Sequence, residues 1–290
     1  MSTLQLFVVA VAIWGTTWLA ITFQLGHVAP EASVFYRFLL ASALLFGFCL
    51  ARALPLRYSP RRHLWIALQG VFMFSVSYIF VYYAEQHVVS GLVAVGYSAS
   101  PMLGLIGMWV FFGTPIKREL IAGSILGIVG IALVFLPEFT HMQNNRDTAL
   151  GALHTVIAVL VSALGSIVAQ RNSREGLPLW QTMAWGMLYG ALFSLAVVLL
   201  TGQSLTFEPT LPYVLSLLYL AVLGSILAFA AYLTLLHRVG AARAGYIGVM
   251  VPIVALVISA LSFEKFQWHL LTWVGIAVSV AGNASVLRRK

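Results

Sequence analysis

LQLFVVAVAIWGTTWLAITF, residues 4–23, is a run of twenty residues that contains no Asp, Glu, Lys or Arg. About 20 predominantly apolar residues are what an α-helix needs to cross the ~30 Å hydrocarbon core of a bilayer. The run is too long for the apolar region of a cleaved signal peptide, and no basic residue precedes it. We therefore predict that residues 4–23 form a membrane-spanning helix.

The composition of the whole chain extends this prediction. Of the 290 residues, 61% are hydrophobic and 8% are charged, and the mean hydropathy is +0.97. Soluble proteins have about 45–50% apolar and about 25% charged residues, so these few charges would not cover a water-exposed surface. The chain is predicted to be an all-α integral membrane protein whose main partner is the lipid bilayer, which excludes an ordinary soluble enzyme.

Similar apolar runs recur along the chain, separated by polar or Pro- and Gly-containing breaks. Each is about 20 residues long and carries few charges, as a helix in lipid requires. The ten predicted spans are 4–23, 32–51, 64–83, 88–112, 119–136, 151–170, 179–200, 212–236, 245–263 and 267–287.

The basic residues predict the orientation of these spans. Thirteen of the sixteen Lys and Arg residues fall in loops on one side, two fall on the other, and Arg37 lies within a span. Cytoplasmic loops of membrane proteins carry the excess of Lys and Arg. Both termini are therefore predicted to be cytoplasmic, and the net charge of +8 reflects membrane topology rather than binding to nucleic acid.

Two segments of the chain resemble each other. GYSASPMLGLIGMWVFF (96–112) aligns with IGVMVPIVALVISALSF (247–263), which places Pro101 over Pro252. The similarity predicts an internal repeat.

Glycines extend this alignment after an adjustment of one residue. Gly123 aligns with Gly275, and Gly130 aligns with Gly282. Such small residues let helix backbones approach closely, so packing is their expected role. The same motif is compatible with a single chain or with a dimer as the working unit.

The repeat divides the chain into halves at 1–140 and 150–290, with five predicted spans each. Because five is odd, the second half is predicted to cross the membrane upside down relative to the first. This is the inverted-repeat design of many secondary transporters. The loop charges agree, since loops at equivalent positions in the two halves carry opposite Lys and Arg bias.

Several motifs fall in an order that identifies a family. IWGTTWLAITFQLG (13–26), PEASVFYRFLLASALL (30–45) and the SASP segment that ends at Pro101 resemble EamA-type members of the drug/metabolite transporter superfamily. Within it, the chain is most similar to the YddG-type aromatic amino acid exporters. The resemblance implies efflux of small metabolites across a bacterial inner membrane. It also implies a central cavity lined by helices 1, 3, 4, 6, 8 and 9, with helices 5 and 10 peripheral.

Motifs for other energy sources and for catalysis are missing from the sequence. There is no G-x-x-x-x-G-K-[S/T] loop for ATP, and no H-E-x-x-H motif or Cys pair for a metal. No cofactor, resident metal or enzymatic activity is therefore predicted. The Asp and Glu residues fall at span ends or in loops, which makes facilitated export at least as well supported as proton coupling. His154, about one turn inside a span, is a candidate proton relay.

Arg37 is the one strongly ionisable residue within a predicted span. A charged side chain at this depth is expected to face protein or water rather than lipid. One interpretation is an anchor for a substrate carboxylate or an ion pair that changes during gating. The alternative is a permanent structural partner for helix-end carbonyls, for Glu85 or for Glu31.

Pro101 and Pro252 lie near the middle of spans 4 and 9. A proline inside a helix frees a carbonyl, which must be satisfied by protein or by water in a cavity. Paired interruptions at matching positions of two halves indicate a transport site and its hinges, whereas simple kinking for packing is the alternative. Candidate cavity residues beside the prolines are Tyr97, Ser98, Ser100 and Tyr246.

Pairs of aromatic residues spaced four apart give further candidates. This spacing places both members on one helical face. A buried indole N–H or phenol O–H needs a partner that lipid does not supply. Cavity lining is favoured for Trp14, Tyr78, Tyr82 and Tyr97, and helix packing is the alternative for each pair. The pairs are Trp14 with Trp18, Tyr78 with Tyr82, and Trp185 with Tyr189.

These features predict a secondary transporter that works by alternating access around a central cavity. Its small-molecule substrate is expected to be an aromatic or other apolar amino acid, a choice that the family resemblance carries. Two alternatives stay open at this point. The chain exports another metabolite or drug-like compound, or it is a passive solute channel.

Overall fold

A computed structural model describes residues 1–115, 118–141, 145–262 and 269–287. Within these residues the protein is helical, and none of them lies in a β-strand. The helices are α1 Thr3–Thr22, α2 Pro30–Ala51, α3 Pro60–Glu85, α4 Ser90–Phe112, α5 Arg118–His141, α6 Asn145–Arg174, α7 Leu179–Leu200, α8 Leu211–Val239, α9 Ala241–Leu261 and α10 Leu270–Leu287.

The membrane character of the chain follows from these helices. Eight of the described helices are long and apolar enough to cross a bilayer, namely α1 to α4 and α6 to α9. Helices α5 and α10 contain shorter apolar segments, Ile121–Val134 and Leu270–Gly282. The protein is an all-helical, multi-span membrane protein, while ten spans, inversion of the halves and orientation stay predictions.

Helix ends differ from the predicted span ends by a few residues. Helix α6 begins at Asn145 and ends at Arg174, several residues beyond the predicted span on both sides. Hydropathy detects the part of a helix that matches lipid, but the backbone bonds continue into polar flanks. The predicted end of span 9, at 263, and the predicted start of span 10, at 267, lie outside the described residues.

Four of the helices contain irregular turns. Helix α3 includes a π-helical turn at Phe72–Val76, and α8 includes one at Leu220–Leu227. Helix α4 tightens to a 3₁₀ turn at Tyr97–Ala99. Helix α9 is interrupted between its first turn, Ala241–Ala244, and the remainder, Ile247–Leu261. The irregularities thus fall on the third and fourth helices of each predicted half.

Helix packing follows a regular scheme. Helix α2 packs on α7, α1 packs on α8 and α9, and α6 packs on α3 and α4. Helices α5 and α10 pack against each other at glycines. A Cβ built on Gly130 would lie 2.5 Å from the Gly275 oxygen, and one on Gly282 would lie 2.6 Å from the Gly123 oxygen. These backbones approach so closely that only glycine fits at the contact.

Candidate functional site

A central cavity lies among six helices, α1, α3, α4, α6, α8 and α9. It contains about 900 Å³ of space free of protein atoms, a figure that includes its open mouth. None of the described lining side chains is charged. Its aromatic residues are Trp14, Trp18, Tyr78, Tyr97, Phe229 and Tyr232, and its hydroxyl residues besides tyrosine are Thr17, Ser77, Ser100, Ser162 and Ser166.

Trp14 on α1 forms part of the cavity wall. Its indole Nε1 donates to the Gly224 carbonyl in the π turn of α8, at 3.0 Å. The ring packs edge-on against Phe229, with centroids 4.9 Å apart, and lies 5.4 Å from the Tyr232 ring. The polar edge of the indole is therefore satisfied by protein, and Trp14 contributes mainly apolar surface to the cavity.

Trp18 and Tyr97 meet across the cavity wall. Their rings make an edge contact with centroids 5.3 Å apart, and the Tyr97 hydroxyl lies 3.2 Å from the Ser77 hydroxyl. The buried Nε1 of Trp18 has no hydrogen-bond partner among the described residues. An indole donor in this condition is available to a polar ligand or to water.

Tyr78 on α3 lines the cavity on one side and contacts Arg37 on the other. The guanidinium carbon of Arg37 lies 4.4 Å from the Tyr78 ring centroid and 5.2 Å from that of Phe38. Its Nε donates to the Ser225 hydroxyl at 2.9 Å, and the side chain is fully buried. The structure thus gives Nε a hydroxyl partner, while Glu31 accepts a bond from the Tyr83 hydroxyl.

The interruptions of α4 and α9 cross at the cavity. A Cβ built on Gly245 would lie 3.0 Å from the Pro101 nitrogen, and one on Gly248 would overlap the Tyr97 carbonyl oxygen. Only glycines permit this approach. Pro101 lies in the first turn of the second helical segment of α4, Ser100–Phe112, directly after the 3₁₀ turn. The break therefore lies before the proline rather than at it, where an N-terminal proline costs no hydrogen bond.

Ser98 has a structural partner at this crossing. Pro252 lies within the helix of α9 and removes the bond to the carbonyl four residues earlier, at Gly248. The Ser98 hydroxyl donates to that Gly248 carbonyl at 3.3 Å. Ser98 is buried and is not part of the described cavity lining, whereas Ser100 is.

Two other candidate tyrosines lie outside the cavity lining. Tyr82 is fully buried and donates to the Gln24 side chain at 2.7 Å, which ties α3 to the segment after α1. Tyr246 is buried at the interruption of α9, and its hydroxyl has no hydrogen-bond partner within the described part of the chain.

Trp185 and Tyr189 on α7 also lie away from the cavity lining. The indole Nε1 of Trp185 donates to the Leu56 carbonyl at 3.0 Å, and the Tyr189 hydroxyl lies 2.8 Å from Nδ1 of His63. The two rings stack on each other at 5.8 Å. Their common face, as the spacing of four predicted, holds the loop between α2 and α3 and the first turn of α3 against α7.

His154 packs in an aromatic cluster at the N-terminal end of α6. Its ring lies 5.5 Å from Tyr83, 5.8 Å from Phe80 and 5.7 Å from His87, centroid to centroid. Nδ1 of His87 lies 3.7 Å from an Asp147 oxygen. The cluster is separate from the described cavity lining. Groups of three or more His, Cys, Asp or Glu residues that suit a metal do not occur among the described residues.

Several lining residues were not singled out from sequence. Thr17 completes a face of α1 with Trp14 and Trp18, and the spacing of these residues carried that signal. Phe229 and Tyr232 are three residues apart on α8 and meet with centroids 6.4 Å apart. The Tyr232 hydroxyl donates to the Ser166 hydroxyl at 2.9 Å, which joins α8 to α6.

Comparison with known proteins agrees with this architecture. The chain is 32% identical to the inner membrane transporter YedA of Escherichia coli over 279 residues, covering 92% of this chain and 86% of YedA. It is 25% identical to the protein PagO of Salmonella typhimurium over 258 residues, covering 87% of this chain and 82% of PagO. Identity is also 25% to the protein PecM of Dickeya dadantii, with 88% of this chain and 82% of PecM covered.

A solved crystal structure has the same fold. It superposes with a TM-score of 0.75 at 17% identity, covering 98% of this chain and 96% of that one. The sequence matches the EamA-like transporter family over residues 1–136 and 149–288. The prediction of the family is confirmed: the chain is a multi-pass inner membrane protein and belongs to the EamA-like transporters of the drug/metabolite transporter superfamily.

Proposed function

We propose that the protein exports small amphipathic metabolites, in particular aromatic or other apolar amino acids, by alternating access around the central cavity. The observation that carries the proposal is the cavity itself. It is walled by aromatic rings, carries scattered hydroxyl groups, and has no charge among its described lining. Apolar walls with a few polar groups suit a ligand that has a bulky apolar part.

The contacts of the lining residues support specific roles in binding. Tyr78, Tyr97 and Trp18 offer ring faces and edges to an apolar or aromatic side chain, as aromatic pairing favours. The unpartnered Trp18 Nε1 and the Ser100 hydroxyl offer hydrogen bonds to its polar end. Trp14 shapes the wall through its own bond to α8. We assign substrate contact to these residues and not to Trp185 or Tyr189.

The mechanism rests on two inverted halves. Support comes from the paired irregularities, π turns in α3 and α8 and interruptions in α4 and α9. The packing contacts repeat in the same way, since Gly130 meets Gly275 and their aligned counterparts Gly282 and Gly123 also meet. Exchange of the halves maps each contact onto the other, as a two-fold relation within the chain would produce.

Rocking of these halves would open the cavity first to one side and then to the other. The glycine-lined crossing of α4 and α9, near Pro101 and Pro252, is the proposed hinge region because both helices are already interrupted there. The Lys and Arg bias supports a cytoplasmic position for both termini. Lys117 and residues 288–290, which contribute to that bias, and Lys265, which lies on the opposite side, are outside the described residues.

The test is uptake into proteoliposomes of purified protein, with labelled phenylalanine, tryptophan, threonine and a nucleotide sugar. We expect saturable movement of the aromatic amino acids that is equal with and without a pH gradient. Strict dependence on the gradient would contradict the facilitative mechanism and direct attention to the His154 cluster. Movement of the nucleotide sugar alone would contradict the amino acid assignment and leave the transporter fold intact.

A further inference from the structure

The guanidinium of Arg37 is a buried positive charge that its described surroundings do not neutralise. Of the basic side chains that the structure describes, Arg37 alone is buried, with 0% exposure. Its Nε bonds to Ser225 at 2.9 Å, yet Nη1 and Nη2 have no hydrogen-bond partner in the described chain. A charged group in a membrane interior is costly unless it is paired or reaches water. Neither Nη atom has an anionic acceptor in the described chain, and the hydroxyls of Tyr78 and Tyr82 are the nearby polar groups that interact with the guanidinium.

The rest of the guanidinium is held in place by other contacts. Ser225 accepts from Nε and donates its own O–H to the Leu220 carbonyl at 2.9 Å, in the π turn of α8. The rings of Phe38 and Tyr78 pack on the guanidinium. One edge of the fork is thus fixed by a hydrogen bond and the faces by aromatic rings. The remaining edge presents two parallel donors, the arrangement that carboxylates bind.

Gly224 connects this edge with the cavity. A Cβ built on Gly224 would lie 3.3 Å from Nη2 of Arg37 and 2.9 Å from Cγ2 of Thr17, which lines the cavity. The Gly224 backbone is therefore packed closely between the cavity-lining Thr17 and the guanidinium, with no room for a further carbon atom. Tyr78 forms the other boundary, since it lines the cavity and contacts Arg37.

We propose that Arg37 is the specificity-determining residue that binds the carboxylate of the substrate, which reaches the guanidinium from the cavity past Tyr78. The inference rests on the proposed function and deepens it, because it restricts the substrates to molecules with a carboxylate next to an apolar body. The uncharged cavity lining offers no other cation among its described residues. A neutral amide analogue would leave the Nη atoms unpaired.

Calorimetric titration of the purified protein with three probes tests this. L-phenylalanine has both charged groups, L-phenylalaninamide lacks the carboxylate, and 3-phenylpropionate lacks the amine. We expect wild-type protein to bind phenylalanine about 10–100-fold more tightly than its amide, the ratio given by one charge-assisted hydrogen-bonded contact. In Arg37→Gln the ratio should fall to about 1, and Arg37→Lys should restore part of it.

The ratio separates recognition from a structural role. If Arg37 served only to hold α2 against α8, Arg37→Gln would weaken all probes alike and keep the ratio, which would overturn the proposal. Ser225→Ala is the matched comparison, because it removes the Nε partner and keeps the charge, and it should lower the ratio only a few-fold. Thermal unfolding in detergent establishes that each variant is folded.

The outcomes also distinguish this proposal from the proposed function. Binding of phenylalanine and its amide with equal affinity in the wild type would overturn the role of Arg37 and leave amino acid transport in place. Binding of 3-phenylpropionate but not phenylalanine, lost in Arg37→Gln, would support the role of Arg37 and overturn the amino acid assignment. Absence of binding by all three probes would overturn both.

Discussion

Helix α2 packs on the π turn of α8, and α7 packs on the π turn of α3, yet the two junctions have opposite chemistry. At the first, Arg37 bonds to Ser225 and leaves two donors free. At the second, Gly186 meets the Phe74 ring and lies against Gly70. The same backbone irregularity thus supports a buried charge at one junction and a tightly packed contact at the other.

The difference shows what a π turn does in each place. The turn in α3 is filled by neighbouring atoms, and its Ser75 hydroxyl lies 2.6 Å from that of Ser194. The turn in α8 offers its polar groups to other helices, to Arg37 and to Trp14. Such turns are frequent at functional sites. We infer that the π turn of α3 serves close packing, whereas the π turn of α8 holds the Arg37 and Trp14 side chains in place.

We expect the largest loss of stability from Gly70→Ala, which disrupts the packed contact between α3 and α7. A Cβ there would overlap the Gly186 carbonyl, and two backbones cannot relieve the overlap by rotating a side chain. We expect the free energy of unfolding to fall by about 1–3 kcal/mol, seen as a lower thermal unfolding temperature in detergent. Gly47→Ala is the control, since nothing lies within 4 Å of its Cβ position. Equal melting of the two variants would contradict the tight contact.

Tyr78→Ala and Tyr97→Ala test the aromatic lining of the cavity, where Tyr78 also contacts Arg37. Both should reduce transport in proteoliposomes about tenfold, as the loss of one aromatic contact with the ligand implies, while membrane insertion stays near normal. Tyr189→Ala is the matched control on α7, outside the described lining, and should transport at nearly the wild-type rate. Unimpaired transport in both lining variants would remove α3 and α4 from the site.

Arg37→Met makes the contact between α2 and the π turn of α8 apolar, and so tests how this junction differs from the one between α7 and α3. Because the guanidinium is buried with two unpaired donors, its replacement should leave stability unchanged or raise it by up to about 2 kcal/mol. Binding of carboxylate probes should nevertheless be lost. A marked fall in the thermal unfolding temperature would indicate that the charge is needed to hold α2 on α8.

The smallest effects separate the two serines of the π turns. Ser75→Ala removes one buried hydroxyl contact and should cost about 1 kcal/mol of stability without changing binding. Ser225→Ala should cost a similar amount and also loosen the placement of Arg37, seen as a few-fold weaker binding of carboxylate probes. Identical behaviour of the two variants in binding would contradict the functional difference between the turns.

Candidates for the cavity wall came from two local signals in the sequence. Spacing suggested Trp14 and Tyr78, proximity to Pro101 suggested Tyr97 and Ser100, and all four line the cavity. Spacing also placed Trp185 and Tyr189 on one face, but that face contacts the loop before α3 and the first turn of α3. Periodicity defines which residues share a face, whereas the partner of that face depends on packing between helices distant in sequence.

The prolines illustrate the same limit. Pro101 and Pro252 marked the two interrupted helices from sequence, yet the breaks lie before them, at Tyr97–Ala99 and before Ile247. The Ser98 hydroxyl, expected to face the cavity, instead bonds to the carbonyl that Pro252 frees. This hydrogen bond joins residues 150 positions apart, so the local sequence around either residue does not predict it.

The amino-acid sequence by itself determined that the chain resides in a membrane, that it is helical, and which family it belongs to. These properties follow from hydropathy, length and short motifs, all of which are local. Only the tertiary structure decided which aromatic faces meet at one cavity. It also decided that Arg37 lies behind Tyr78, with no hydrogen-bond partner for Nη1 and Nη2 in the described chain. Those facts arise from contacts between α2, α3 and α8, whose geometry is set by the packing of the whole bundle.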